Sequence, residues 1–319
     1  MQLKYLIIIL FFLIPFSSSA QLLGASNSIG ISSQPTHPEP EKEVVLKLDA
    51  YSLDTIGSEI TWSINGVNSE ESINSTEFVL ETGKLGETLV VKANIVLRDG
   101  TIHEAIHTIT PSRTNLTIEA DTHTPYFYQG RSEPSIGSTI RAISVPETGS
   151  GANPAVYTYR WEVNGNVLFG GPVTGRNVVE FDVPFGNEVQ IRLDVLSQAT
   201  GNVVASTREY VPIVEPEINF YEQSLLIGGS HNAIGKTYNL LSDEVSIKAE
   251  PYFMSNVHLQ DSPKLEWKLN GETISNPNVS PFLITLRNAG SGGSATISFS
   301  SRSTRTLSQY AKDSFEVSF

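Results

Sequence analysis

The sequence predicts an all-β chain with three tandem immunoglobulin-like β-sandwich domains in an elongated array, preceded by a signal peptide. Two observations lead to this prediction. The three tryptophans of the chain each begin the same pentapeptide, Trp-x-aliphatic-Asn-Gly, and the copies lie about 100 residues apart. Alternating apolar and polar residues surround each copy, which is typical of half-buried strands. A period of this length fits a small independent domain.

Residues 1–20, MQLKYLIIILFFLIPFSSSA, have the composition of a secretory signal peptide. Lys4 precedes an apolar run over 5–16, and Ser18 and Ala20 are the small residues of a cleavage site. Because the run is too short to span a bilayer comfortably, we expect cleavage after Ala20 and a secreted or cell-surface location. The alternative is an uncleaved N-terminal anchor.

The composition limits the partners of the chain. It has 34 acidic and 21 basic residues, a net charge of −13, which argues against nucleic acid or anionic lipid as a partner. It has no cysteine, so no disulfide supports the domains. Each domain must then be stable through its hydrophobic core, which favours domains near 100 residues over much smaller ones.

The repeated pentapeptide predicts a central strand and its turn. In the first copy, Ile60, Trp62 and Ile64 alternate with polar residues, and the other copies alternate in the same way. The tryptophans fall on the apolar face and are predicted core residues: Trp62, Trp161 and Trp267. Asn-Gly after such a run is the preferred two-residue hairpin turn, because both residues tolerate positive φ. The predicted turns are Asn65-Gly66, Asn164-Gly165 and Asn270-Gly271.

Further alternating stretches predict the neighbouring strands. Upstream of each Trp they cover 44–51, 139–145 and 244–250. Downstream they cover 89–97, 189–195 and 295–299, with returning strands at 101–110, 203–211 and 310–319. We find no amphipathic helix after residue 20. Several short strands with polar turns between them are typical of a sandwich.

Two short segments containing proline mark the predicted domain boundaries. They are TPSRTN at 110–115 and VPIVEPE at 211–217. Proline in linkers of this length favours limited hinging. The predicted domains cover 42–112, 113–214 and 215–319. Residues 21–41, rich in Ser, Gly and Pro, are either a flexible leader or a first edge strand.

The Trp-x-aliphatic-Asn-Gly strand, the long alternating strands after it and the absence of Cys resemble bacterial immunoglobulin-like and PKD-like domains of secreted and surface proteins. Three stretches are similar to tandem surface proteins of ultrasmall candidate-phylum bacteria: LKLDAYSLD at 46–54, IEADTHTPYFYQG at 118–130 and IKAEPYFMSN at 247–256. The resemblance covers most of 40–319. It implies roles in adhesion, spacing or surface assembly, and no catalysis.

The stretch His103-Glu104-Ala105-Ile106-His107 matches H-E-x-x-H, the zinc-protease pattern. That chemistry needs a helix, where residues four apart are about 6 Å from each other. The β-branched surroundings favour a strand, which would separate the two His by about 13 Å, too far for one zinc ion to bind both. We therefore expect a solvent-facing stretch of the last strand of the first domain.

Acidic pairs near the strand ends are weak candidates for calcium ligands. They are Asp49 with Asp54, and Asp243 with Glu244. The chain has no D-x-D-x-D-G loop, and carboxylates of this kind are more often simply solvated. We assign no metal and no cofactor, and the sequence leaves calcium at domain junctions open.

Two aromatic runs are the candidate contact residues: Tyr126, Phe127 and Tyr128 in one, and Tyr252 and Phe253 in the other. Exposed, they would form a contact patch for a protein or a glycan. The alternative is that they cover one end of a sandwich, as buried aromatics commonly do.

The leading hypothesis is a non-enzymatic secreted or cell-surface modular protein acting in adhesion, surface assembly or protein–protein contact. Its partners would be proteins of the cell surface or of a surface appendage, with no nucleic acid and no membrane span after signal removal. The alternative is a carbohydrate-binding module array that uses the aromatic runs, and a remote alternative is a zinc hydrolase at His103–His107. No G-x-S-x-G elbow or phosphate-binding loop is present in the sequence.

Overall fold

The structure is a computed structural model that describes residues 29–51, 53–70, 72–149, 153–224, 228–275, 280–288, 290 and 292–319. The predicted signal peptide lies outside these residues. Within them, the chain forms 24 strands in six sheets, with three short helical segments. The prediction of an all-β chain is confirmed.

The first sandwich has the strand orders β1-β2-β5 and β4-β3-β6-β7. Its strands are β1 (Gly30–Gln34), β2 (Glu43–Asp49), β3 (Glu59–Ile64), β4 (Val67–Ser69), β5 (Glu77–Glu81), β6 (Leu89–Val96) and β7 (Ile102–Ile109). The strands predicted at 44–51, 89–97 and 101–110 correspond to β2, β6 and β7. The edge strand β1 lies within the segment predicted as a leader or a first strand.

The second sandwich has the orders β8-β9-β13 and β11-β10-β14-β15, with β12 also paired to β10. Its strands are β8 (Arg113–Ala120), β9 (Thr139–Glu147), β10 (Tyr157–Val163), β11 (Asn166–Val167), β12 (Val173–Thr174), β13 (Val178–Asp182), β14 (Glu188–Ser197) and β15 (Val203–Pro212). In the register of β10 with β14, Trp161 lies opposite Leu193, and both are buried.

The third sandwich has the orders β17-β16-β19-β22 and β18-β24-β23-β20-β21. Its strands are β16 (Glu217–Ser224), β17 (Gly228–Ala233), β18 (Thr237–Asn239), β19 (Glu244–Tyr252), β20 (Lys264–Leu269), β21 (Glu272–Thr273), β22 (Leu283–Arg287), β23 (Ser294–Arg302) and β24 (Tyr310–Ser318). Strand β18 pairs in parallel with β24, whereas the other pairs of this sandwich are antiparallel.

The same strand order recurs in all three sandwiches. The Trp strand (β3, β10 or β20) pairs with the long strand after it (β6, β14 or β23), which pairs with the last strand (β7, β15 or β24). The opposite sheet contains the first strands and one short strand between the Trp strand and the long strand. This division into A-B-E and C-F-G strands is that of immunoglobulin-like sandwiches. The predicted tandem immunoglobulin-like fold is confirmed.

Helical structure is confined to three short segments. They are the 3₁₀ turns Pro154–Val156 and Leu168–Gly170, and α1 (Asn256–Gln260) between β19 and β20. Each is too short to give a sequence periodicity, so none was predictable from an amphipathic pattern. No helix among the described residues is long and apolar enough to cross a membrane.

The three tryptophans are buried, and each indole makes an equivalent hydrogen bond. The Nε1–H of Trp62 donates to the carbonyl of Ser75 at 2.8 Å, that of Trp161 to Arg176 at 2.9 Å, and that of Trp267 to Pro281 at 3.0 Å. Each acceptor lies two residues before the short strand of the opposite sheet, β5, β13 or β22. The indole therefore fills the core and also ties the two sheets together, since a buried N–H needs a partner.

The three Asn-Gly turns also share one geometry. Asn and Gly both have positive φ, between 48° and 87°, as a type I′ hairpin requires. The Oδ1 of each Asn accepts the backbone N–H at the start of the long strand: Val90 for Asn65 at 2.9 Å, Gln190 for Asn164 at 2.8 Å and Thr296 for Asn270 at 2.8 Å. The pentapeptide thus fixes one sheet-to-sheet bond and one strand register in every repeat.

By compactness the chain divides into two units. The first contains the described residues before Ser33 together with Leu46–Phe78 and Val90–His107, and the second contains Ser33–Val45, Val79–Leu89 and Thr108–Phe319. In the first unit, Trp62 packs against Phe78 with ring centroids 5.4 Å apart. The second unit holds both the second and the third sandwich. Their separate cores are centred on Trp161 and Trp267.

Candidate functional site at the junction of the second and third sandwiches

The connection between β8 and β9 of the second sandwich pairs with the third sandwich through its backbone. Thr122 forms an antiparallel bridge with Ser255. The N–H of His123 donates to the carbonyl of Met254 at 2.7 Å, and the N–H of Phe253 donates to the carbonyl of His123 at 2.7 Å. Thr122 and His123 therefore connect the second sandwich to the third through an isolated bridge and two backbone hydrogen bonds.

A buried carboxylate, Glu250, lies beside this bridge. The Nε2 of His123 is 2.9 Å from Oε1 of Glu250, and the Nζ of Lys248 is 2.5 Å from its Oε2. Burial alone would raise the pKa of Glu250, but the hydrogen bonds from His123 and Lys248 outweigh burial and lower it. A cavity of about 340 Å³ adjoins the pair, and α1 contributes Leu259 to its wall.

A second polar network crosses the same junction without charge. Gln309 is fully buried, and its Nε2 donates to Oγ of Ser135 at 2.9 Å and to the carbonyl of Ile136 at 2.8 Å. Its Oε1 accepts the N–H of Ser255 at 2.8 Å. The Oγ of Ser135 in turn donates to the carbonyl of Phe253 at 2.6 Å. Each of these buried groups has a partner, so the network specifies one alignment of the two sandwiches.

The two aromatic runs predicted as contact residues meet at this junction. Tyr252 and Phe253 are buried, and Phe127 and Tyr128 pack against them half-buried. The Tyr128 ring lies 5.6 Å from Tyr252 and 5.8 Å from Phe253, both edge-to-face. The hydroxyls of Tyr221 and Tyr252 are 2.6 Å apart, and burial with this hydrogen bond raises the pKa of Tyr252. These rings therefore pack between two sandwiches rather than over the free end of one.

Only one ring of the predicted patch is open to solvent. Tyr126 is 86% exposed, and its hydroxyl is 3.1 Å from Nε2 of His231 on β17. The His231 ring stacks on Phe127 with centroids 4.7 Å apart. We call Tyr126, Phe127 and His231 the aromatic edge. In the aromatic edge, Tyr126 and Phe127 of the second sandwich contact the exposed His231 of the third.

The H-E-x-x-H stretch lies on β7, so the prediction of a strand is confirmed. Its expected solvent-facing placement is wrong in part, because His103 and His107 are half-buried on the side that also carries Ala105. Burial lowers the pKa of His107. Glu104 faces the other way and pairs with Lys92 at 2.9 Å. The three groups are thus not arranged as a helical zinc site requires.

The acidic pairs considered for calcium have local partners. Asp54 Oδ1 accepts the N–H of Ile56 at 3.1 Å, and Glu244 pairs with Arg287 at 2.7 Å. Across the described part of the chain, no group of three or more His, Asp and Glu residues is placed to hold a metal ion. The sequence assigns no calcium site and leaves calcium at the domain junctions open.

Comparison with known proteins gives only remote likenesses. No protein-family model matches the chain, and no curated protein matches it significantly. Three N-terminal domains of the outer capsid protein Hoc of bacteriophage RB49 align at 9% identity and TM-score 0.27, covering 91% of this chain and 98% of that one.

Two further structures have similar scores. Fibronectin(III)-like modules of Clostridium thermocellum CbhA align at 12% identity and TM-score 0.29, covering 57% of this chain and 92% of theirs. Bacteroides ovatus SGBP-B, solved with a mixed-linkage heptasaccharide, aligns at 16% identity and TM-score 0.23. The alignment covers 88% of this chain and 64% of that one. Likenesses at these TM-scores support no conclusion about function, and the assignment of the fold rests on the three repeated strand orders.

The chain is a tandem array of immunoglobulin-like domains. The junction of this array was not predictable from local sequence, because its partners lie far apart: His123 and Glu250 are 127 residues apart, and Gln309 and Ser135 are 174. No local signal pointed to Glu250. It falls on the same face of β19 as Ser246 and Lys248, opposite the core face of Val245, Ile247 and Ala249, so the alternation alone predicts an exposed carboxylate, yet Glu250 is buried.

Proposed function

We propose that this array is a non-enzymatic, secreted or cell-surface modular protein that works through protein–protein contact at the aromatic edge. The observation that supports the proposal is the junction itself. Buried polar networks and packed rings hold the second and third sandwiches together, and the aromatic edge extends from that junction. A contact surface that is already ordered loses less conformational entropy on binding than a surface on a flexible linker.

The composition of the aromatic edge favours a protein partner. Tyr is enriched at protein interfaces because its ring contributes contact area while its hydroxyl bonds to a polar group. The ring of Tyr126 makes edge-to-face contacts with Phe127 and His231, at centroid distances of 5.3 and 5.8 Å, and the side chain is otherwise largely open to solvent. A partner that covers this ring would bury apolar surface on a preorganised support.

The experiment replaces Tyr126 with a photo-crosslinking phenylalanine analogue and exposes the chain to intact producer cells under ultraviolet light. We expect a discrete protein adduct from position 126. The matched control carries the analogue at Phe185, an aromatic residue of the second sandwich that is 83% exposed and lies outside the edge. Equal labelling from both positions, or none from 126, would contradict the proposed contact.

A glycan is the second candidate ligand, because an exposed Tyr ring next to a polar His also suits a sugar ring. A glycan array probed with the native chain and with Tyr126→Ala distinguishes a glycan ligand from a protein partner. Binding that Tyr126→Ala abolishes and Phe185→Ala retains would replace the protein partner by a glycan. Zinc analysis of the same preparation tests the hydrolase alternative, which requires about one equivalent of tightly held metal.

A further inference from the structure

A cavity lined by two arginines and a histidine lies on the outward face of the second sandwich and does not share residues with the aromatic edge. Its volume is about 410 Å³, and its wall includes Pro35, His37, Arg192, Ser206 and Arg208. The face belongs to strands β10, β14 and β15, whose alternate residues point away from the Trp161 core. The cavity is covered by the segment around His37, which belongs to the same compact unit.

The floor of the cavity is held by one buried carboxylate. The side chain of Asp194 is only 2% exposed although it lies on the outward face of β14. It accepts hydrogen bonds from Arg160 at 2.6 Å, from Arg192 at 3.2 Å and from Ser206 at 2.7 Å. Burial opposes ionisation, but these hydrogen bonds and charges outweigh it and lower the pKa of Asp194. Both oxygens of this carboxylate therefore accept hydrogen bonds, and the bond from Arg192 holds its guanidinium in place.

On the same face of the sheet, the cross-strand row of Glu162, Arg192 and Arg208 holds two positive charges and one negative charge. Arg192 lies directly opposite Glu162 on one side and directly opposite Arg208 on the other. Glu162 is 3.7 Å from Arg192 and also 3.7 Å from Arg160, so one carboxylate is shared by two cations. Within the described residues, Arg208 has no ion pair. Two like charges directly opposite each other on neighbouring strands destabilise a sheet.

The cover of the cavity adds a third nitrogen donor. His37 is half-buried, and the N–H of Ser112 donates to the carbonyl of the neighbouring Pro38 at 3.3 Å. Burial lowers the pKa of His37, while the charges of Asp194 and Arg192 act on the imidazole in opposite directions. His37, Arg192 and Arg208 thus converge on one space in a chain whose net charge is −13.

We propose that this cavity binds a small ligand through an anionic oxo group, a carboxylate, sulfate or phosphate, held between Arg192 and Arg208 beneath His37. Guanidinium groups match such oxyanions with paired, charge-assisted hydrogen bonds. The ligand would also neutralise the opposed arginines. This site is independent of the proposed contact at Tyr126.

The wall chemistry excludes two other classes of ligand. A neutral sugar usually needs an aromatic platform, and the wall of this cavity has no aromatic ring apart from the imidazole of His37. A metal ion usually needs three or more carboxylate or imidazole ligands, whereas this wall offers the single imidazole of His37, and the buried carboxylate below it is already bound by two arginines and a serine. The volume falls within the range of pockets that hold small molecules.

The test follows the side-chain resonance of His37 by NMR in the purified chain labelled with ¹³C-histidine, assigned with His37→Gln. Sodium sulfate, sodium phosphate and sodium galacturonate are titrated separately at fixed pH, with sodium chloride at equal ionic strength as the reference. We expect at least one oxyanion to give a saturable shift that chloride does not give. Saturation by sulfate or phosphate alone identifies a tetrahedral group, and saturation by galacturonate alone identifies a carboxylate.

Two variants with the same change in net charge separate the site from general charge effects. Arg208→Gln removes the unpaired cation of the cavity, whereas Arg131→Gln removes an exposed arginine from the β8–β9 connection. We expect Arg208→Gln to raise the dissociation constant of the bound oxyanion at least about tenfold and Arg131→Gln to leave it unchanged. In chloride alone, we expect Arg208→Gln to melt at or above the native temperature, because the repulsion between the opposed arginines is removed. Equal responses of the two variants, or no saturable shift from any of the three oxyanions, would overturn the proposal.

Discussion

The Nε2 of His123 lies 2.9 Å from Oε1 of Glu250, and these residues belong to different sandwiches 127 positions apart in the chain. The Glu250 side chain is 6% exposed and also binds Lys248. A buried carboxylate is stable only while its partners stay in place. The pair therefore links the stability of the third sandwich to the placement of the second.

Removal of His123 tests this link. We expect His123→Ala to lower the free energy of unfolding of the second unit by about 1–3 kcal/mol, because one oxygen of Glu250 loses its partner while buried. Urea denaturation followed by tryptophan fluorescence measures the change. The control is Lys236→Ala, which breaks a pair with Asp313 whose lysine is 80% exposed, and which we expect to cost less than about 0.5 kcal/mol. Equal losses in both variants would mean that burial of the pair is unimportant.

The lowered pKa of Glu250 gives a pH dependence with a definite sign. A carboxyl whose pKa is lower in the folded state stabilises the fold above its ordinary pKa, 4.5, and this contribution disappears as the pH falls through the lowered value. Native protein should therefore lose stability below about pH 4.5 more steeply than Glu250→Gln, which has no proton to gain. The urea midpoint of each protein is measured between neutral and acid pH. If the midpoints of the two proteins fall in parallel as the pH is lowered, the contribution of Glu250 is refuted.

The indole hydrogen bonds predict equal sensitivity in the three repeats. Trp161→Phe removes the donor to the carbonyl of Arg176 and leaves a small void, so we expect a loss of about 2–4 kcal/mol. Trp62→Phe and Trp267→Phe should cost similar amounts, since each removes the same bond. Denaturation of the three single variants measures this. A loss confined to one repeat would show that the indole N–H is dispensable in the others.

Much of the sandwich architecture was predictable, and the reason lies in the pentapeptide. Period-two alternation identified the Trp strands and the long strands, because one face of each lies in the core and the other in solvent. Asn-Gly identified the turns, because positive φ at two successive residues restricts the residue type. Five-residue strands such as β5, β13 and β22 offer too few alternations to be recognised. Strand β17, with the sequence GGSHNA, has no apolar residue larger than alanine.

The junction could not be predicted, for a different reason. Tyr252 and Phe253 are apolar in any environment, so their sequence does not tell a domain end from a contact between domains. Gln309 lies in a polar turn between β23 and β24 and looks like a surface residue, yet it is fully buried by residues of the second sandwich. Such information resides in the packing of two folded domains rather than in any local pattern.

The Asn residue of the turn can be tested separately from its glycine. Asn164 has φ near 48°, and its Oδ1 accepts the N–H of Gln190 at 2.8 Å. We expect Asn164→Ala to cost about 1–2 kcal/mol, because alanine loses the acceptor and is strained at positive φ. Asn164→Asp keeps an oxygen acceptor and tolerates this backbone, so its loss should be smaller. Thermal denaturation ranks the two, and equal losses would contradict the role assigned to the side chain.

The contacts at the junction predict that the second and third sandwiches unfold together as one unit. Fluorine NMR of the chain labelled with 5-fluorotryptophan tests it directly, because each sandwich contains one tryptophan and gives one signal. We predict that the native signals of Trp161 and Trp267 disappear at the same guanidinium concentration, and that Gln309→Ala lowers both midpoints together. If Gln309→Ala shifts the Trp267 transition and leaves that of Trp161 unchanged, the two sandwiches are independent and the account of the junction is wrong.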